Sequence, residues 1–128
     1  MTAACGGSGG GSGAGHDGHG EESPPAFDAS AATATLEVTL KDFTIAGLSP
    51  AATGPNLLFN AEVNGASQHE LAVHDASGHL GGLAPFRAGK KKRLAIVLAP
   101  GTYTVQCLVK EGSRTHAELG MKAQLTVQ

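Results

Sequence analysis

Four side chains of the 128-residue chain form a candidate metal-binding set: His69, Cys107, His116 and Met121. A cysteine thiolate is soft and suits Cu(I), while imidazole suits both Cu(I) and Cu(II). A thioether adds little to Cu(II) but favours Cu(I). Two imidazoles, one thiolate and a weak axial thioether therefore suit a single copper ion that changes oxidation state. A structural zinc site would take four strong ligands, usually in paired Cys or His spacings, and the sequence has no such pairs. Each of the four has a plainer role when taken alone. Cys107 could be a small buried hydrophobe, Met121 core filling, His69 a hydrogen-bonded core histidine and His116 a loop residue. What points to a site is where the surrounding pattern puts them together.

That pattern has period two. Leu36, Val38 and Leu40 alternate with Glu37, Thr39 and Lys41. Leu57, Phe59, Ala61 and Val63 do the same, as do Tyr103, Val105 and Cys107, and then Met121, Ala123, Leu125 and Val127. His69, Leu71 and Val73 share one parity, and Leu94, Ile96 and Leu98 another. Such alternation predicts strands with one buried face. The phase slips at Phe43 and Ile45, which predicts a β-bulge near Lys41–Asp42. Turn signals separate the runs: Ser49-Pro50, Gly54-Pro55, Asn64-Gly65, Ser77-Gly78, Gly81-Gly82, Ala88-Gly89 and Pro100-Gly101. No helical length shows an apolar stripe. The expected fold is an all-β Greek-key sandwich of about seven to eight strands. In it His69 opens a strand, Cys107 ends one and Met121 opens the last, all facing the core. His116 lies in the loop between Cys107 and Met121.

On these segments the chain resembles a cupredoxin, the small blue-copper family of plastocyanin and azurin. The resemblance rests on the opening LEVTLKDFTI and on Asn64-Gly65-Ala66-Ser67-Gln68-His69-Glu70-Leu71. It continues in Ala99-Pro100-Gly101-Thr102-Tyr103-Thr104-Val105-Gln106-Cys107 and His116-Ala117-Glu118-Leu119-Gly120-Met121. It covers nearly all of residues 36–128. It implies that His69, Cys107, His116 and Met121 ligate one copper ion and that the protein carries electrons. Two departures stand out. Eight residues separate Cys107 from His116, more than is common in the family, and the polar second half of that loop is expected to bulge outward. Many members also have Asn after the first histidine, bracing the ligand loops. Here that position is Glu70, which strand parity points away from the core and so gives no bracing role.

Composition limits the alternatives. Charged residues make up 16% of the chain and the net charge is −2, against the strong basic excess that phosphate binding needs. Four Phe, one Tyr and no Trp argue against an aromatic base-stacking surface. No nucleic-acid partner is expected. Residues 1–35 hold nine glycines and four acidic residues and no Lys or Arg, and are expected to form a flexible tether that adds little to the fold. Residues 36–128 form the expected domain. Thr2-Ala3-Ala4-Cys5-Gly6 resembles a lipoprotein processing site, which would place a lipid on Cys5 and tether the domain to a membrane surface. The alternative is an incidental cysteine in a flexible terminus. No apolar run reaches the length of a membrane-spanning helix.

The other histidines rank lower. His16 and His19 could hold Cu(II) or Ni(II) weakly within the tether. His74 is expected to be exposed, and His79 to be a loop residue without a partner. Arg87, Lys90, Lys91, Lys92 and Arg93 form a basic turn, read first as a solvated hairpin end and second as a docking patch for an acidic redox partner. No nucleophile–base set or phosphate loop occurs, so no enzymatic activity is expected. The leading expectation is a monomeric electron carrier, periplasmic or extracellular, with unidentified redox partner proteins. Copper storage or delivery, and a metal-free interaction module, are the alternatives.

Overall fold

The computed structural model describes residues 22–128. Cys5, His16 and His19 lie outside the described residues. Among the described residues, eleven strands follow one short 3-10 turn at Ala29–Ala31. They are β1 (Ala34–Lys41), β2 (Thr44–Ala46), β3 (Ala51–Ala52), β4 (Asn56–Asn64), β5 (His69–Asp75) and β6 (Gly78–Phe86). Then come β7 (Lys91–Val97), β8 (Gly101–Gln106), β9 (Lys110–Glu111), β10 (Arg114–Thr115) and β11 (Lys122–Val127). Seven have six residues or more, in line with the expected sandwich, and the short ones extend edges or fold within a loop.

One sheet has five strands in the order β3-β11-β8-β5-β6, the other four in the order β2-β1-β4-β7. β9 and β10 form a separate two-stranded hairpin. The chain passes from one sheet to the other between β2 and β3, β3 and β4, β4 and β5, β6 and β7, and β7 and β8, as Greek-key connections do. Alternation explains the layers. Leu36, Val38 and Leu40 of β1, Phe59 of β4 and Leu94 of β7 meet Leu71 and Val73 of β5, Val105 of β8 and Leu125 of β11 between the sheets. Burying each Leu, Val or Phe fully contributes roughly 1.5–3 kcal/mol, which makes this layer the main support of the loops above it.

Three local expectations are corrected. The phase slip after Lys41 is a two-residue hairpin turn and not a bulge. β1 and β2 pair antiparallel with Lys41 opposite Thr44, and Phe43 in the turn has φ 66°. A tight reversal resets the inward parity just as an inserted residue would, so the two look alike in sequence. Gly81-Gly82 is not a turn but the middle of β6. A Cβ on Gly82 would lie 2.2 Å from the Leu71 carbonyl oxygen, so glycine here permits close backbone approach. Finally, part of the expected tether lies against the sandwich. The Ser23 N–H donates to Gly82 of β6 and the Ala26 N–H to Ala95 of β7. Residues 22–33 thus bridge the outermost strands of the two sheets, and Lys92 pairs with Glu22.

Candidate metal centre

One end of the sandwich is built by three loops. In the β1–β2 turn, the Asp42 carboxylate accepts the backbone N–H groups of Ala66 (3.1 Å) and Ser67 (3.2 Å). That fixes the Asn64–Gln68 loop, which ends at His69. A Cβ on Gly65 would come within 2.5 Å of Asp42 Oδ1, so a side chain there would push the loop off the carboxylate. After β8, the Cys107 N–H donates to the Met121 carbonyl (3.1 Å) and the Cys107 carbonyl accepts from Ala117 (2.8 Å). The Met121 N–H donates to the His116 carbonyl (2.9 Å). Thr115 and Glu118 exchange side-chain-to-backbone bonds, closing the turn that follows His116.

His69, Cys107 and His116 are fully buried and their donor atoms converge. The two Nδ1 atoms are 3.1 Å apart. Cys107 Sγ lies 3.5 Å from His116 Nδ1 and 3.9 Å from His69 Nδ1. Met121, also fully buried, adjoins the cluster through its backbone bonds to Cys107 and His116. The phenyl ring of Phe43 packs edge-on to His116 at 4.9 Å.

The outer nitrogens decide the tautomers. His69 Nε2 is 2.9 Å from Asp42 Oδ1, and His116 Nε2 is 3.1 Å from Glu111 Oε1. An ionised carboxylate only accepts, so each Nε2 carries a proton, and in the neutral ring each Nδ1 turns a lone pair inward. Two imidazole lone pairs face each other at 3.1 Å, with one thiol to share between them. A single S–H cannot satisfy both, whereas a cation can. Donors about 2.0–2.3 Å from one ion, spread at trigonal angles, stand roughly 3.3–3.9 Å from each other. The cluster spans nearly that range, so the donor set fits a metal ion.

The electrostatics agree. Burial holds the His69 imidazole below its ordinary value, opposed by its bond to Asp42. The backbone N–H of Ala66, then His69 and Ser67, hold the Asp42 carboxyl below the usual range. Burial pushes the Cys107 thiol up. The thiolate therefore needs a positive neighbour, which a metal ion supplies.

Glu70 corrects an expectation. Its side chain does leave the sandwich core, yet the residue is only 2% exposed. Its carboxylate accepts the Leu108 N–H (2.9 Å), and its own N–H reaches Cys107 Sγ (3.4 Å). It braces the strand carrying His69 against the segment carrying Cys107, from the outer face. His74 is half-buried, not exposed, and its Nε2 is enclosed without a partner. His79 is on β6, not in a loop, directly opposite His74, with ring centroids 5.0 Å apart. The long loop after Cys107 projects as an exposed hairpin, as expected, but it also returns Glu111 to His116. Asp42 and Glu111 had no assigned role. Glu111 is the only acidic residue between Cys107 and His116, which was the one available signal for it.

No protein-family model matches the chain, and no curated protein matches it in sequence. Among solved structures, the fold defines a class. The chain is similar to auracyanin, a cupredoxin, in the crystal structure of the Na-dithionite-reduced protein from the photosynthetic bacterium Roseiflexus castenholzii. The two share 16% identity at a TM-score of 0.59, over 77% of this chain and 98% of that one. This chain has the cupredoxin β-sandwich fold.

Proposed function

We propose that the protein is a mononuclear copper electron carrier, with His69, Cys107, His116 and Met121 as ligands. The observation that carries this is the convergence of two inward imidazole lone pairs and one thiol sulfur in a fully buried cluster. Bound there, copper would supply one-electron redox chemistry at a thiolate-containing centre. The chain's own residues hold the donors in place before any metal arrives. Asp42 and Glu111 orient the two rings, and the Glu70 N–H steadies the sulfur. Phe43 and the complete burial of both histidines exclude water. A cage that need not rearrange suits an ion that changes charge but not ligands. With all four proposed donors supplied by the protein, the centre would leave no place for a substrate, which supports a carrier rather than an enzyme.

The finer assignments belong to the same proposal. The protein works outside the cytoplasm as a monomer, exchanging electrons with protein partners, and a lipid on Cys5 would hold it at a membrane surface. Among the described residues no helix is long and apolar enough to cross a membrane.

The test is an optical spectrum of the full chain with one equivalent of Cu(II), followed by reduction and reoxidation. An intense thiolate-to-copper charge-transfer band and reversible one-electron cycling are expected. Stoichiometric Cu(II) uptake without colour would overturn the thiolate site. A coloured protein that releases its metal on reduction would be a delivery protein, and no uptake would leave only the fold.

A further inference from the structure

Both histidines of the cluster end, on their outer side, at a carboxylate. One comes from the β1–β2 turn and the other from inside the long loop. Asp42 has a side chain 35% exposed and Glu111 one 54% exposed, so each is a charge at the protein surface bonded directly to a buried ring. The β9–β10 hairpin, which pairs Lys110 with Thr115 and Glu111 with Arg114, is what returns Glu111 to His116. That reversal takes up residues 110–115, six of the eight residues between Cys107 and His116. The eight-residue loop thus has a chemical consequence beyond its length.

We propose that Asp42 and Glu111 are paired positioning residues that lock both imidazoles as Nδ1 donors and bias the centre toward its oxidised, more highly charged state. This rests on the copper reading above. A carboxylate that accepts an imidazole N–H raises the basicity of the other nitrogen and fixes the ring's orientation. Both effects strengthen binding of the doubly charged ion more than the singly charged one. Two nearby negative charges act in the same direction. Asp42 also holds the Ala66–Ser67 backbone, so its removal mixes geometry with charge. Glu111 makes no such backbone bond among those described, and it is the cleaner probe.

The experiment compares full-length wild type with Glu111→Gln, Glu111→Ala, Asp42→Asn and, as a charge control, Arg114→Gln. Copper uptake by the wild type is established first, so that failure of the copper reading is seen separately. The readouts are the reduction potential, the nitrogen hyperfine pattern of the Cu(II) form and the melting temperature of each apo protein. Both Glu111 variants should fold as the wild type does. Each should lower the ratio of Cu(II) to Cu(I) affinity between about threefold and tenfold, a tenfold change being 59 mV in a one-electron couple. Glu111→Gln keeps an acceptor oxygen and should preserve the hyperfine pattern, whereas Glu111→Ala should disturb it. Asp42→Asn should shift the ratio in the same direction. If neither Glu111 variant moves the potential, the proposal falls. It falls equally if Arg114→Gln gives a shift as large as that of Glu111→Gln, because diffuse hairpin charge would then be the cause.

Discussion

Cys107 supplies both the colour and the strongest bond expected of the centre. Cys107→Ser should therefore abolish the visible band and leave a domain that still folds. The hydroxyl would cost about 1–3 kcal/mol at most if left unpaired in this buried place. A ligand at a thousand times its Kd stabilises the native state by about 4 kcal/mol, so copper should raise the melting temperature of wild type far more than that of the variant. Equal copper-induced stabilisation in the two would locate the metal elsewhere, with His16 and His19 the first place to look. Glu70 is tested by its two replacements. Glu70→Ala strips the Leu108 N–H of its acceptor and should cost about 1–3 kcal/mol, visible in urea unfolding of the apo protein. Glu70→Gln retains an acceptor and should lose much less. Equal losses would assign the effect to the negative charge and not to the bond.

At the scale of elements, β5 and β6 approach closely at Gly82. A methyl group on Gly82 cannot fit beside the Leu71 carbonyl without moving a strand, because backbone atoms have no rotamer to yield. Gly82→Ala should destabilise the fold by about 1–3 kcal/mol, and by more if β6 separates from β5. Stability near that of wild type would mean that the two strands can shift apart freely. The same strand pair carries His74 opposite His79. Burial first, and His79 second, hold the His74 imidazole below its ordinary 6.5. The unfolded chain then takes up its proton at higher pH than the folded one. This contribution to stability is complete above 6.5 and is lost as pH falls from there through the depressed folded value. The loss of stability of wild type on acidification should exceed that of His74→Gln, measured as the shift in urea midpoint at each pH. Parallel curves for the two proteins would show that His74 does not contribute.

Over the whole molecule, the two sheets share a core but have separate outer edges. Residues 22–33 cross that gap, bonded to β6 at Gly82 and to β7 at Ala95. Deleting residues 1–21 should leave the melting temperature nearly unchanged, since their glycine-rich sequence has little apolar surface to bury. Deleting residues 1–33 should lower it clearly and expose two strand edges to pairing with other chains. Light scattering of the shorter protein would report that exposure. Identical melting and no self-association in both truncated proteins would return the whole segment to the role of a tether.

The alternation of apolar and polar residues was enough to place six of the seven long strands, all but β6. It also put His69, Cys107 and Met121 on inward faces, because side-chain direction in a strand follows parity alone. It gave Glu70 its direction correctly too, out of the core between the sheets. What parity could not say is what lies over that outer face. The Cys107–Leu108 segment covers it, and Glu70 and Leu108 meet across a sequence separation of 38 residues. The bond from Asp42 to His69 spans 27 residues, and the meeting of His69 with His116 spans 47. Gly81-Gly82 was ambiguous for the same reason, since a glycine needed for chain reversal and one needed for a close neighbour look alike. Local periodicity is written in consecutive residues, so the strands and their faces were legible. The carboxylates behind the histidines depend on where separate loops come to rest, and only packing of the two sheets brings those loops to one end.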